Sequence, residues 1–308
     1  MFAHSRNLAI IGGEFTHINY AQSAFDKLKD VSAPSALYDS SARYDPPKCH
    51  PNTRVAVLEY LMGWIFGRND PEVLIMWLHG PAGTGKSALL QTITERCAEI
   101  KALLASFFFG CSDPTRNHIK PLIPTIACQL AITIPEIKPY VEGAIERDPF
   151  LLEKSLATQF KLLIVTPLQA LVSSGSLKPG SPRLIVIDGL DECSDPKMQS
   201  MIIRIIADAF RSQNLPLIFL IASRPEQNIH QTFSSSTLSG LWRSVVLDET
   251  YKPDDDIRLF LMDSFHEIKT THPHRHLIPE TWPGKPNVDI LIWKSSGQFI
   301  YASQVVKY

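Results

Sequence analysis

The stretch "GPAGTGKS", residues 80–87, fits the pattern G-x-x-x-x-G-K-[ST] in full. The apolar run "EVLIMWLHG" (72–80) before it is typical of a buried strand, and "KSALLQTITERCAEI" (86–100) after it has a helical pattern. A strand before the pattern and a helix after it are the context that a phosphate-binding loop requires. The alternative is a glycine-rich turn that matches by chance, and the flanking strand and helix argue against it.

Each residue type in this loop has a physical role. The three glycines permit backbone angles and a close approach that a side chain would block. Successive amide N–H groups then surround an anion, helped by the positive end of the following helix. The ammonium of Lys86 is expected against the β- and γ-phosphates of a nucleotide, and the hydroxyl of Ser87 on Mg²⁺. The predicted phosphate-binding residues are Gly80, Pro81, Ala82, Gly83, Thr84, Gly85, Lys86, Ser87 and Ala88.

A second stretch, "LIVIDGLDEC" (184–193), places Asp188, Asp191 and Glu192 within five positions at the end of a run suited to burial. A buried charge is costly unless it is paired or faces a cation. Asp188 ends the apolar run, so we expect it to hold Mg²⁺, as the carboxylate on a neighbouring strand does in P-loop enzymes.

The two acids that follow are candidates for catalysis. In many ATPases the residue directly after the Mg²⁺ aspartate is a glutamate that polarises the attacking water, and here that position is Gly189. Asp191 or Glu192 must therefore take this role if any residue does. The alternative is a solvated acidic turn in which only Asp188 is functional.

The third element is "LIFLIASRPE" (217–226), a buried strand followed by Arg224. An arginine at the carboxyl edge of the sheet can reach a γ-phosphate and respond to its presence. Taken alone, a surface arginine in a turn would be the better interpretation. The two motifs that precede it favour the functional one.

The pattern of elements predicts an α/β fold. Short apolar strands separated by helices imply a parallel sheet covered on both faces. Asp195 is the predicted N-cap of the helix in "DPKMQSMIIRIIADAF", with Pro196 at the first helical position. Asp254 or Asp255 is the predicted N-cap of the helix in "DIRLFLMDSFHEI". The predicted strands lie at 72–80, 103–110, 183–189, 215–225 and 244–249. We expect a leader or linker over 1–50, an NTPase domain over 51–250 and a helical segment over 251–308.

Composition excludes some classes of protein. The 30 basic and 31 acidic residues give a net charge of −1, so we expect no nucleic-acid partner. No apolar run approaches the roughly 18 residues of a membrane span, and no membrane span is expected. The five cysteines lack a paired spacing, which favours a reducing, cytoplasmic location.

With its three motifs in order, the chain resembles the NACHT-type signal-transduction (STAND) NTPases. It is most similar to the fungal NLR-like group whose NTPase region is similar to the N-terminal domain described for nephrocystin-3. The likeness covers roughly residues 40 to 308. The pattern D-G-x-D-E distinguishes this family from other P-loop proteins. The segments that carry it are "CHPNTR", "WLHGPAGTGKSALLQTI", "ASFFFG", "LIPTIACQLA", "LIVIDGLDEC", "LIASRPE" and "GQFIYAS".

The resemblance implies a three-layer P-loop fold of the additional-strand type, in which the Arg224 strand lies between the strands of Lys86 and Asp188. It implies a slow NTPase switch in self/non-self or cell-death signalling, which binds ATP or GTP with Mg²⁺ and forms a homo-oligomer when activated. Thr53 and Arg54 fall where this group approaches the nucleotide base.

No repeat array or winged-helix domain follows before Tyr308. We therefore expect a fragment or truncated product, or a chain that needs a sensor or effector protein in trans. Two other functions stay open: a nucleotide-binding scaffold that does not hydrolyse, and a P-loop phosphotransferase. The second would need an arginine-bearing lid, and no arginine-rich insertion is found in the sequence.

Overall fold

Side chains along the strands alternate between two hydrophobic clusters, one on each face of a sheet. In the computed structural model, which describes residues 22–177 and 183–307, Ile75 and Trp77 belong to one cluster. Met76 and Leu78, between and after them, belong to the other. A strand that is apolar at every position is therefore buried on both faces, as in a parallel sheet covered by helices.

The sheet has five strands in the order β2-β3-β4-β1-β5, and every pair is parallel. Strand β4, which precedes Arg224, lies between β1 and β3, so the predicted three-layer P-loop fold with an additional strand is confirmed. The strands are β1 (Ile75–His79), β2 (Leu103–Phe108), β3 (Leu184–Asp188), β4 (Ile218–Ser223) and β5 (Trp242–Val246).

Helices cover both faces of this sheet. Helices α2 and α3 contribute to the cluster on one face, and α1 and α4 to α9 to the cluster on the other. The helices are α1 (Ala24–Asp30), α2 (Val55–Ile65), α3 (Lys86–Glu99), α4 (Leu122–Thr133), α5 (Lys138–Arg147), α6 (Leu156–Phe160), α7 (Thr166–Ser173), α8 (Pro196–Ser212), α9 (Gln227–Phe233), α10 (Pro253–Thr271), α11 (Lys285–Ser295) and α12 (Phe299–Lys307).

One of the two predicted caps is found. The Asp195 side chain accepts a hydrogen bond from the backbone N–H of Lys197 at the start of α8, with Pro196 in the first position. The predicted cap of α10 by Asp254 or Asp255 is wrong, because the helix begins earlier, at Pro253. The fixed φ of proline suits the first helical position, and both aspartates then lie in the first turn, near the positive end of the helix.

A continuous helical stretch, Leu156–Ser173, is long and apolar enough to cross a membrane, with a mean hydropathy of 1.3. The sequence-level expectation that no apolar run approaches this length is therefore wrong. A π-helical turn, Lys161–Val165, joins α6 to α7 and accommodates Pro167, which lacks an N–H, without ending the helix. Phe160, Leu163 and Leu168 of this stretch are at most 2% exposed and pack in the core, which are the contacts of a core helix.

Helices α10 to α12 form a third, separate cluster, centred on Leu261, Phe265, Val288 and Ile292. This C-terminal helical unit, residues 253–307, lies beside the carboxyl edge of the sheet, where α12 contacts the loop after β1. The division of the chain at residues 50 and 250 stays a prediction.

Part of the segment expected to be a leader packs into the domain core. Residues 1–21 lie outside the described residues, but α1 contacts α4 and α5. Phe25 is 8% exposed and Leu28 is fully buried, both within the main cluster. The short pattern "SAFDKLKD" therefore forms a helix that adds to the stability of the domain.

We expect Leu28→Ala to lower the free energy of unfolding by about 2–5 kcal/mol, because it leaves a cavity under α1. The exposed leucine Leu277, 72% accessible, is the matched control, and Leu277→Ala should change stability by less than about 0.5 kcal/mol. Urea denaturation of the two variants measures the difference. Equal midpoints for Leu28→Ala and the wild type would mean that α1 does not contribute to the folded core.

Candidate nucleotide-binding site

The loop between β1 and α3 has the backbone of a phosphate cradle. Gly83 and Gly85 have φ angles of +78° and +92°, which only glycine adopts without strain. Gly80 is favoured for a different reason, because a Cβ there would lie 3.1 Å from the carbonyl oxygen of Leu247, a tight contact. Helix α3 begins at Lys86 without a side-chain cap, so its first N–H groups face the loop and are free to bind an anion.

The ammonium group of Lys86 occupies the loop in this structure. Its Nζ donates to the carbonyl oxygens of Gly80 (2.8 Å) and Pro81 (2.7 Å). Burial lowers the pKa of Lys86, and the nearby carboxylates of Asp191 and Asp188 oppose that shift. A cation held by two neutral carbonyls in a half-buried position is well placed to transfer to an anionic phosphate oxygen.

Asp188, at the end of β3, is a buried carboxylate. It is 5% exposed, and burial raises its pKa to about 6. The nearby Ser87 side chain and the charges of Arg43 and Lys86 favour its ionised form. Two predicted Mg²⁺ ligands, Ser87 and Asp188, are thus brought together, and a buried carboxylate of this kind is stabilised by a cation.

Gly189 makes the turn after Asp188 possible. Its φ of +67° starts a single 3₁₀ turn, Leu190–Glu192, anchored by the fully buried Leu190. The side chain of Asp191 then accepts hydrogen bonds from the backbone N–H (2.9 Å) and the Nε (2.7 Å) of Arg224. Asp191 and Arg224, predicted separately, therefore form one ion pair at the sheet edge.

Glu192 is fixed by a different contact. One carboxylate oxygen, Oε2, accepts the backbone N–H of Cys111, in the loop after β2, at 2.9 Å. Asp191 and Glu192 line the same cavity as Lys86 and Asp188. The predicted catalytic roles of the two acids stay predictions, but their protein contacts differ in kind: Asp191 binds a cation and Glu192 binds a neutral amide.

Arg54 and Thr53 also line the cavity. The guanidinium of Arg54 donates to the carbonyl oxygen of Thr84 in the loop (2.9 Å) and lies over the ring of Phe299, 4.9 Å from its centroid. Its Nε and Nη1 atoms are buried without a hydrogen-bond partner among the described residues. The hydroxyl of Thr53 donates a hydrogen bond to the backbone carbonyl oxygen of nearby His50, at 2.7 Å.

The C-terminal helical unit also contributes to the wall of the cavity. The backbone N–H of Ile300, in α12, donates to the carbonyl oxygen of Gly83 at 3.3 Å. The Ile300 side chain is so close that a Cβ on Gly83 would lie 2.5 Å from it. In α10, Asp256 accepts the backbone N–H of Arg54 at 3.1 Å. The unit therefore contacts the phosphate loop directly and also through Arg54.

These residues surround one cavity of about 420 Å³. That volume lies within the range of small-molecule sites. Phosphate-loop residues, the acids of the β3 turn, Arg224, Thr53, Arg54 and the C-terminal unit all contribute to its wall. The lining is Pro47, Lys48, Cys49, His50, Thr53, Arg54, Ala82, Gly83, Gly85, Lys86, Ser87, Ala88, Asp188, Gly189, Asp191, Glu192, Arg224, Phe260, Phe299, Ile300 and Ser303.

The residues present fit a nucleotide with Mg²⁺. Uncapped N–H groups, a lysine and two orphaned Arg54 donors suit an anionic, acceptor-rich ligand. Among the described residues, no group of three His, Cys, Asp or Glu side chains is placed to hold a metal by itself. One hydroxyl and one carboxylate are what a site offers when Mg²⁺ is held jointly with phosphates.

Sequence reasoning missed several contributors to this site. Arg43 lies in the segment expected to be a linker, yet its guanidinium stacks on Phe108 at 3.7 Å, beside the strand of Asp188. Its Nη1 donates to Gln91 of α3 at 2.9 Å. Nothing in "YDSSARYDPPK" signals this contact, because it depends on residues far apart in sequence. Phe299 and Ile300 were contained in "GQFIYAS", which the family likeness had already singled out.

Taken together, the strand order, the loop after β1 and the acids after β3 define a nucleotide-binding P-loop ATPase fold. Residues 61–224 match the family described as Nephrocystin 3, N-terminal. The match spans more than half of the 308 residues, and the chain belongs to that family. No curated protein matches the sequence.

Several solved structures are similar over most of the chain at low sequence identity. The Aeropyrum pernix ORC1 protein in complex with DNA is 15% identical, with a TM-score of 0.40, and the match covers 82% of this chain and 60% of that one. Drosophila ORC bound to DNA is 14% identical, with a TM-score of 0.40, covering 87% and 44%. Drosophila ORC bound to poly(dA/dT) DNA and Cdc6 is 13% identical, with a TM-score of 0.38, covering 88% and 43%. The chain thus spans less than two thirds of the length of each of these structures.

The prediction that the chain has no nucleic-acid partner is contradicted by these neighbours, which are described as DNA complexes. It rested on a net charge of −1 for the whole chain. A sum of charges does not describe how they are distributed over a surface, so the exclusion was wrong.

We expect Arg54→Met to loosen the C-terminal helical unit, because it removes the guanidinium but leaves the backbone N–H that Asp256 accepts. Loss of the cation–π contact with Phe299 of α12 costs about 0.5–2 kcal/mol, so amide exchange in residues 299–307 should accelerate about 2- to 30-fold. The exposed Arg68, which stacks on Phe66 at 5.5 Å, is the control. Hydrogen-exchange mass spectrometry makes the comparison, and unchanged exchange in Arg54→Met would exclude this role.

Proposed function

We propose that this chain is a nucleotide-operated switch of the NACHT/STAND type, which binds a nucleoside triphosphate with Mg²⁺ and hydrolyses it slowly. The observation that carries the proposal is the single cavity in which Lys86, Ser87, Asp188, Glu192 and Arg224 meet. These residues lie at or after the ends of three strands, β1, β3 and β4. They meet at the carboxyl edge of the sheet, where open α/β folds bind their ligands.

The roles follow from the contacts. The N–H groups at the start of α3 and the ammonium of Lys86 bind the phosphates, and Ser87 and Asp188 hold Mg²⁺. The ion supplies charge neutralisation between the β- and γ-phosphates. Arg224, at the end of β4, is directed at the terminal phosphate. Arg54 and the aromatic rings of Phe260 and Phe299 also line the cavity, and the base is proposed to lie beside them.

Glu192 is the better candidate for orienting and deprotonating the attacking water. Its Oε2 accepts one N–H, from Cys111, and Oε1 has no hydrogen-bond partner among the described residues. Asp191 has both carboxylate oxygens on Arg224. A general base must reach the proton that it removes, so geometry favours Glu192 over Asp191.

A switch needs an element that responds to the ligand, and the C-terminal helical unit meets this requirement. It contacts the phosphate loop through Ile300 and Gly83 and through Arg54. A nucleotide that binds to the loop and to Arg54 therefore changes the contacts that hold the C-terminal helical unit. This coupling supports a conformational output in preference to a metabolic product.

Signalling of the NLR type, in self/non-self recognition or cell death, is proposed from the likeness to NACHT proteins. ATP is the proposed nucleotide in preference to GTP, and oligomerisation or a sensor protein in trans belongs to the same proposal. A cytoplasmic location is proposed from the unpaired cysteines.

The purified protein should release a stoichiometric nucleotide on denaturation, and chromatography identifies its base and phosphate number. Lys86→Ala should purify empty, because removing the ammonium costs the main cationic contact to the phosphates. Lys120→Ala, an exposed lysine outside the cavity, should retain the nucleotide. A wild-type protein that is empty and binds no added nucleotide would refute the proposed function.

Glu192→Gln should lower turnover about 10²–10⁴-fold while nucleotide affinity stays within about threefold, since the amide keeps the acceptor for Cys111 but not the basicity. Glu226→Gln, on an exposed glutamate near Arg224, is the control. Phosphate release under saturating ATP measures the effect. Turnover equal to that of the wild type would exclude Glu192 as the base. A wild type that binds without turnover would favour the non-hydrolysing scaffold.

A further inference from the structure

Both carboxylate oxygens of Asp191 accept hydrogen bonds from one residue, Arg224. Its Oδ1 accepts the backbone N–H of Arg224 at 2.9 Å, and its Oδ2 accepts Nε at 2.7 Å. The Asp191 side chain is 5% exposed, whereas that of Arg224 is 49% exposed. The acid is therefore a fixed, buried anchor and the arginine extends from it into the cavity.

The anchor itself is held from both sides. Leu190, the preceding residue, is fully buried, and the carbonyl oxygen of Asp191 accepts a hydrogen bond from the Gln199 side chain of α8 at 3.2 Å. Arg224 directly follows β4, the central strand of the sheet. Both partners thus lie on rigid elements, which is the condition for precise placement of a charged group.

The pairing leaves the outer edge of the guanidinium available. Among the hydrogen bonds of residues 22–177 and 183–307, neither Nη1 nor Nη2 of Arg224 donates to a protein acceptor, and Arg224 lines the cavity. A guanidinium can bind phosphate oxygens through its two terminal nitrogens while Nε is held elsewhere. The pair with Asp191 therefore need not break when a phosphate binds.

We propose that Asp191 is a positioning residue, which fixes Arg224 so that its two terminal nitrogens face the γ-phosphate and thereby sets the preference for triphosphate over diphosphate. This inference rests on the proposed function of the same cavity. It divides the two acids of "DGLDE" between two tasks: Glu192 acts on water, and Asp191 acts on the arginine.

A competing arrangement makes the opposite prediction. If the ion pair were a latch that withholds Arg224 from the ligand, its removal would free the arginine and strengthen triphosphate binding. The bonded atoms favour positioning, because Asp191 occupies the backbone N–H and Nε and leaves the terminal nitrogens uncommitted.

The test is titration of the full chain with a non-hydrolysable triphosphate and with the diphosphate, both with Mg²⁺, by calorimetry. Asp191→Ala should weaken triphosphate binding about 10- to 100-fold and leave diphosphate binding within about twofold. Arg224→Ala should do the same, and the double variant should be no weaker than Arg224→Ala, because the two residues act as one unit. Glu226→Ala removes an acid beside Arg224 that makes no hydrogen bond to it, and should bind as the wild type does.

Asp191→Asn covers the case in which the alanine variant folds poorly, since it keeps an acceptor for the backbone N–H and loses only the charge. It should give a smaller loss, about 3- to 10-fold, for the triphosphate alone. Diphosphate affinity serves as the internal measure of folding, because a general structural defect would lower both affinities together.

Each failure has a separate signature. If the wild type binds neither nucleotide, the proposed function falls and this inference with it. If the wild type binds both and Arg224→Ala alone loses triphosphate affinity, the proposed function stands and Asp191 does not position the arginine. Stronger triphosphate binding in Asp191→Ala would establish the latch and overturn positioning. An unchanged ratio in both single variants would exclude the pair from phosphate discrimination.

Discussion

The high cost of a buried charge governs the carboxyl edge of this sheet. Asp188 and the side chain of Asp191 are each 5% exposed, and Lys86 is half-buried near them. None of these groups is stable there alone, so each depends on a partner. Asp191 has one in the protein, Arg224, whereas Lys86 has only two carbonyl oxygens and Asp188 has the Ser87 side chain nearby. The groups that lack an opposite charge in direct contact are those assigned to phosphate and Mg²⁺, so the ligand completes an electrostatic arrangement that the protein leaves incomplete.

The sequence predicted the fold and this edge because local signals and global topology agree there. Apolar strands of about six residues are buried on both faces, and only a parallel sheet with helices on each side does that. Parallel strands end at a common edge, so motifs that follow β1, β3 and β4 must come together. That is why Lys86, Asp188 and Arg224 could be grouped before any contact was known. Gly189 was noted only as the replacement of a glutamate, but its φ of +67° is what turns Asp191 towards Arg224.

Contacts between distant segments were not predictable in the same way. Arg43 reaches Phe108 and Gln91 from a stretch whose composition is typical of a linker, and α1 packs on α4 from a stretch expected to be a leader. Charge balance and hydropathy are averages over many residues, so they did not reveal that Leu156–Ser173 forms one continuous apolar helix. A net charge of −1 likewise gave no information on the distribution of charge, and the exclusion of nucleic acid drawn from it failed.

Arg54 shows how the same physical constraint extends from the ligand site to the C-terminal helical unit. Its guanidinium is buried, and burial lowers its pKa while Asp256 opposes that shift. Two of its donors, Nε and Nη1, have no hydrogen-bond partner among the described residues, although Nε lies 3.9 Å from a carboxylate oxygen of Asp256. Thr84 and Phe299 contact the rest of the group. A ligand acceptor that satisfies those donors would hold Arg54 more firmly, and with it the contacts to α10 and α12. Because the incomplete hydrogen bonding of one side chain lies between the phosphate loop and the helices, we expect nucleotide occupancy and helix docking to be coupled.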